Sequence, residues 1–118
     1  MPQGPRASAR RHDWIDDRSL AFGLAIAEKV RANPQLVVQA GQRLDEWEAT
    51  AVARGDTGVR PVFVEWREVL HALSLEELLA FLGTDTSERA TRMRQSTPFV
   101  GVLSEPERAA ILARFETL

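Results

Sequence analysis

A chain of 118 residues, 44 % apolar and 27 % charged, has the make-up of one globular domain large enough to bury most of its apolar surface. A formal net charge of −2 gives no global pull toward nucleic acid or anionic membrane, and zero cysteines exclude disulfides and thiolate metal sites. No apolar run approaches a membrane-spanning length and no apolar core follows the N-terminal arginines, so a cytoplasmic protein without a secretory leader is expected.

Residues 1–12 hold Pro2, Gly4, Pro5, Arg6, Arg10 and Arg11 without periodicity. They read as a disordered basic tail, either a solvated leader or an arm for phosphates, ahead of a single helical domain at 13–118. Asp16 and Asp17 suit a helix start, where carboxylates complement the N-terminal dipole. Leu20, Leu24, Ala27 and Val30 then recur at steps of three and four, an amphipathic helix. Asn33-Pro34 ends it and opens the next, with Asn33 as cap and Pro34 in the first helical position.

Val37, Ala40, Leu44, Trp47 and Ala51 form the narrow seam of a second helix, whose simplest partner is the first. Leu44 and Trp47 are its expected core residues. Gly55-Asp56-Thr57-Gly58 makes the longest internal loop, and Pro61 opens helix three. Val62-Phe63-Val64 alone could pass for a strand. The charged continuation Glu65-Trp66-Arg67-Glu68 breaks alternation, so a helix with Val62, Trp66, Val69 and Leu73 inward is expected, widened by Phe63 and Leu70.

Ser74 with Glu77 is a capping box for a short helix through Leu75, Leu78, Leu79 and Leu82, with Gly83 as its stop. Asp85 and Glu88 repeat the pattern and start helix five, through Gln95. At 96–104 comes an ordered apolar crossing. Thr97 is extended before Pro98, Phe99, Val102 and Leu103 are anchors, and Gly101 permits a tight turn. Ser104 and Glu107 then cap a last helix with Ile111, Leu112 and Phe115 inward. The expected fold is an all-α bundle of about six helices.

Site chemistry is thin. His12 lies in the tail, and His71 has Arg67 four residues before it and no carboxylate at that spacing, which reads as structural. Asp13, Asp16 and Asp17 could be oxygen ligands for a divalent ion, but helix-start electrostatics explains them. No phosphate-cradling glycine loop or nucleophile elbow is present, so no catalytic residue, metal ligand or cofactor site is expected.

Arg89, Arg92 and Arg94 form the best basic patch. Asp85 and Glu88 stand four residues before the first two, the favourable order for a solvated ion-paired face. Arg94 has no acid at that spacing and is singled out for a partner. Phe99, Val102 and Leu103 either insert into a partner or close the protein's own core. The pair of helices at 74–95 also resembles a helix-turn-helix, with its apolar residues Ala90 and Met93 one position late. DNA binding is therefore the alternative function.

Two stretches carry a family resemblance: Arg18-Ser19-Leu20-Ala21, and Arg94-Gln95-Ser96-Thr97-Pro98-Phe99-Val100-Gly101-Val102-Leu103-Ser104. There the chain resembles short bacterial proteins that share a Leu-Arg-Gln-x-Ser-Pro-Phe-x-Gly-Val-Leu closing motif. Their genes often lie just ahead of one for a nucleotidyltransferase-like abortive-infection toxin. The similarity covers about residues 17–116, with Met93 in place of leucine and Ala109 in place of an aromatic residue. The resemblance implies a non-enzymatic, antitoxin-like module that binds and neutralises a toxin. A small net-acidic chain would suit a mask over a basic cleft. The expected partner-binding residues are Arg89, Arg92, Arg94 and Phe99.

Overall fold

The computed structural model describes residues 6–55 and 60–116, with side chains from Ile15 onward. Six helices follow in order: α1 (Arg6–Ala32), α2 (Gln35–Ala53), α3 (Pro61–Ala72), α4 (Leu75–Gly83), α5 (Glu88–Arg94) and α6 (Glu105–Glu116). No strand occurs among the described residues, so the all-α expectation holds. None of these helices is long and apolar enough to cross a membrane.

α1 is the spine, with α4 as its main partner and α5 and α6 beside it. Its backbone is helical from Arg6, so residues 6–12 of the expected tail continue the helix. Asp16 and Asp17 therefore sit well inside α1, exposed, and not at its start. Residues 1–5 of the tail, and Asp56-Thr57-Gly58 of the expected loop, lie outside the described residues.

The α1–α4 crossing is set by two glycines. A Cβ on Gly23 would lie 1.9 Å from the Leu82 carbonyl oxygen and 2.9 Å from Arg94 Cδ. On the other side, a Cβ on Gly83 would meet Leu24 Cδ1 at 3.2 Å and Cα at 3.3 Å. Backbone meets backbone here because neither helix has a side chain at the contact. Gly83 ends α4, as expected, but its φ is not positive, and close packing is what its missing side chain serves.

α2 and α3 make a second unit. The expected pairing of α2 with α1 is present but minor, and a more extensive one forms with α3. Trp47 and Phe63 rings lie 5.6 Å apart, while Arg67 reaches back to Asp45 at 2.6 Å and Glu48 at 2.8 Å. The end of α2 and the start of α3 line one hollow, so α3 runs antiparallel to α2. Spacing placed a seam on α2 but could not say which helix would cover it. Leu44 is buried as expected; Trp47 is only half-buried, and the central tryptophan is Trp66 of α3. Asn33 accepts from the Gln35 N–H at 3.3 Å, but α2 begins at Gln35 with Pro34 in the cap position, so both residues sit one step earlier than expected.

Both serine boxes form. Ser74 and Glu77 exchange bonds of 2.9 and 3.2 Å, and Ser104 and Glu107 bonds of 2.8 and 3.2 Å. The third box does not. Ser87 caps α5 by accepting from Ala90 N–H, and Asp85 accepts from Ser87 N–H at 2.8 Å. Asp85 thus forms an Asx turn that sets the cap, one step outside it.

Glu107 also joins α6 to α1 through Lys29 at 2.7 Å. The Lys29 ammonium first, then the Ser104 N–H and hydroxyl, hold its carboxyl down to about 2 from an ordinary 4.5. A folded-state pKa below the unfolded one gives stability that is present above pH 4.5 and lost as pH falls toward about 2. Glu107→Gln is therefore expected to melt lower at neutral pH and to show a flatter fall in Tm across that acid window. Thermal melts at a series of pH values check this; parallel curves for the two proteins would refute the linkage.

Candidate functional site

The four residues expected to meet a partner divide into two places. Arg92 makes a bidentate pair with Glu65 of α3 at 2.9 and 2.8 Å, and Arg89 lies 3.6 Å from the same carboxylate. The local pairs expected with Asp85 and Glu88 give way to this tertiary one, because Glu65 offers both oxygens to a planar fork. Arg92, foremost, lowers the Glu65 pKa, and Glu65 in turn raises that of Arg92. Ala90 and Met93 are buried beneath these arginines. The basic face of the helix pair at 74–95 is thus held against α3.

Arg94 overturns its solvent-exposed reading. It is 8 % exposed, and its Nη1 donates to the carbonyls of Phe81 at 3.0 Å and Asp85 at 2.7 Å. Nη2 donates to Thr91 Oγ1 at 3.2 Å, while Nε has no hydrogen-bond partner. The last carbonyls of a helix lack intrahelical donors and carry the negative end of its dipole. A cation folded onto the end of α4 satisfies both needs. Burial lowers its pKa, and the Asp85 and Asp16 carboxylates oppose that shift. The sequence signal was the missing acid at i−4; it marked a tertiary cap. Arg94 substitutions therefore report on stability before they report on binding.

The closing loop is as ordered as its sequence implies. Thr97 Oγ1 accepts from Phe99 N–H at 3.1 Å, and Gly101 turns the chain at φ +84°. Pro98, Phe99 and Leu103 are buried, with Phe99 edge-on to Trp66 at 6.2 Å. Phe99 closes the protein's own core. From α2, Arg43 donates to the Val100 carbonyl. Val100 itself stands out, 52 % exposed.

Between α1, this loop and α6 runs an open groove of about 830 Å³. Phe22, Ile26 and Leu112 give it an apolar floor, and Arg18, Arg108 and Glu105 its charged edge. The Arg108 guanidinium lies over the Phe22 ring at 5.3 Å. Arg94 and Phe99 line it from beneath. Of the expected set, these two are brought together, while Arg89 and Arg92 go to the α3 side. Phe22 and Arg108 were not singled out in the sequence, and neither has a local pattern to mark it. His71 is exposed in the last turn of α3 and does not line the groove. Among the described residues no three His, Asp or Glu side chains are grouped to hold a metal ion. What the groove offers is apolar surface beside guanidinium groups, the chemistry of recognition of an amphipathic segment.

Comparison with family models, with curated proteins and with solved structures finds no match for this chain.

Proposed function

We propose that this chain is a non-enzymatic, antitoxin-like module that docks on a partner toxin and neutralises it. One observation carries the reading. Arg18-Ser19 and Gln95–Gly101, stretches on which the family resemblance rests, both contribute lining residues to a single groove. Residues far apart in the chain thus contribute to one surface, and a rigid loop holds part of it in place. A preformed surface of this kind suits binding, because little ordering is left to be done on association. The resemblance supplies the candidate partner: a nucleotidyltransferase-type toxin encoded by the adjacent gene.

The DNA-binding alternative gains no support from α5, whose Arg89 and Arg92 are paired with Glu65 and whose Arg94 is buried. Co-expression with the adjacent gene product is expected to yield a stable complex on size exclusion without DNA, and to relieve growth arrest by that product. Absence of both, together with DNA affinity that falls steeply with salt, would replace this reading with the regulator.

A further inference from the structure

The groove shares a wall with a second hollow of about 550 Å³. That hollow lies between the end of α2 and the start of α3, floored by Trp47, Val62 and Phe63, with Arg54 and Arg60 at its edge. Gln95, Thr97 and Val100 line both, so the closing loop is the ridge between them. Charge is segregated around that ridge. The chain as a whole carries 15 basic and 17 acidic residues. Yet among the described residues lining the two hollows, the basic ones are Arg18, Arg94, Arg108, Arg54 and Arg60, and the acid is Glu105. Arg94 is committed to the end of α4, and Arg54, Arg60 and Arg108 flank an exposed valine. Two of them lie over rings, Arg108 over Phe22 at 5.3 Å and Arg60 over Phe63 at 6.0 Å. Such stacking positions a guanidinium without consuming its N–H groups.

We propose that the ridge and its two hollows form a docking surface for an acidic amphipathic segment of a partner protein. Apolar side chains enter the hollows on either side of Val100, and carboxylates meet Arg54, Arg60 and Arg108. The proposal rests on the antitoxin-like reading and names the chemistry of the toxin segment it contacts. It reverses, for this face, the expectation of an acidic mask over a basic cleft. Aromatic and aliphatic floors on both sides of the ridge favour a protein segment over a phosphate backbone, and the chain's net negative charge repels a long polyanion.

The test uses three probes: a synthetic amphipathic helix with Glu on its polar face and Leu on its apolar face, the same peptide with Lys for Glu, and a DNA duplex. Each is titrated calorimetrically against wild type, Val100→Asp, and the double variant Arg54→Glu/Arg60→Glu. These positions are exposed, so the variants are expected to melt like wild type. The Glu peptide should bind wild type and lose about tenfold or more in affinity on either variant, while the Lys peptide and DNA bind more weakly than it does. Equal or tighter binding of the Lys peptide or of DNA overturns the proposal, as does a Glu peptide indifferent to the substitutions. The same variants in the co-expressed complex separate this proposal from the reading beneath it. A toxin complex that forms and survives both variants moves the interface elsewhere and leaves the antitoxin reading intact. Ridge-dependent binding of the Glu peptide with no toxin complex upholds the surface and removes that reading.

Discussion

Gly23→Ala is expected to lower the stability of the folded state by about 3 kcal/mol or more. An added Cβ would stand 1.9 Å from the Leu82 carbonyl oxygen, a backbone atom that cannot rotate aside. Relief requires α4 to move off α1, which separates the pair with the most extensive helix–helix contact. The Arg94 stem, 2.9 Å away, would be displaced as well, and with it the donor to the Phe81 and Asp85 carbonyls. Overpacking a core usually costs about 1–3 kcal/mol where side chains can shift; a backbone clash lies at or above the top of that range. Total stability for a domain of this kind is about 5–15 kcal/mol, so a loss of about 3 kcal/mol or more removes much of it. The contrast is Gly41→Ala, in the middle of α2 with nothing within 4 Å of the added atom. There the gain in helix propensity of about 0.5–1 kcal/mol acts alone. Chemical denaturation of the two variants should move in opposite directions from wild type. A Gly23→Ala midpoint equal to wild type would mean that α1 and α4 do not cross at this point.

The contrast between the two glycines also shows what a linear sequence can and cannot reveal. The two serine capping boxes, the Asn33-Pro34 break and the Thr97-Pro98 crossing depend on residues within four positions of one another, and each was legible. Six helices followed from them. Which helix covers which is decided by contacts between distant residues, and here local spacing misleads. The α2 seam was regular enough to suggest α1 as partner, yet Arg67 and Phe63 bind α2 to α3. Gly23 itself was a readable anomaly, since an interior helical glycine lowers stability unless something else needs the space. The candidate site was legible only through its ends. Arg94 and the closing loop were marked, but a missing acid at i−4 looks the same for a partner-seeking arginine as for a buried helix cap. Arg54 and Arg60 sit at the edges of a loop, where no periodic pattern exists to read. Their meeting with Val100 and Trp47 around one hollow is a product of the fold.

Trp66→Ala is expected to be the costliest truncation of the core, at about 3–5 kcal/mol. Trp66 is 0 % exposed. Its ring meets Phe81 of α4 edge-on at 5.7 Å and Phe99 of the closing loop at 6.2 Å, and its indole N–H donates to the Met93 carbonyl of α5 at 3.2 Å. One side chain thus joins α3 to two helices and to the loop that forms the ridge. Trp47→Ala, half-buried with a single ring pair to Phe63, should cost about 1–2 kcal/mol. Trp66→Phe keeps an aromatic ring but loses the indole N–H bond to the Met93 carbonyl, which still accepts from the Ser96 N–H, and the smaller ring underfills the core, for an intermediate loss of about 1–3 kcal/mol. Denaturation midpoints should therefore fall in the order wild type, Trp47→Ala, Trp66→Phe, Trp66→Ala, and the two alanine variants should not exchange places. Binding by Trp66 variants should fall only as their unfolded fraction rises, because the residue supports the ridge from below. If Trp47→Ala proved more damaging than Trp66→Ala, the centre of the core would lie on α2. Phe99 would then lose the wall it packs on, and the closing loop would lose the support that makes it a preformed surface.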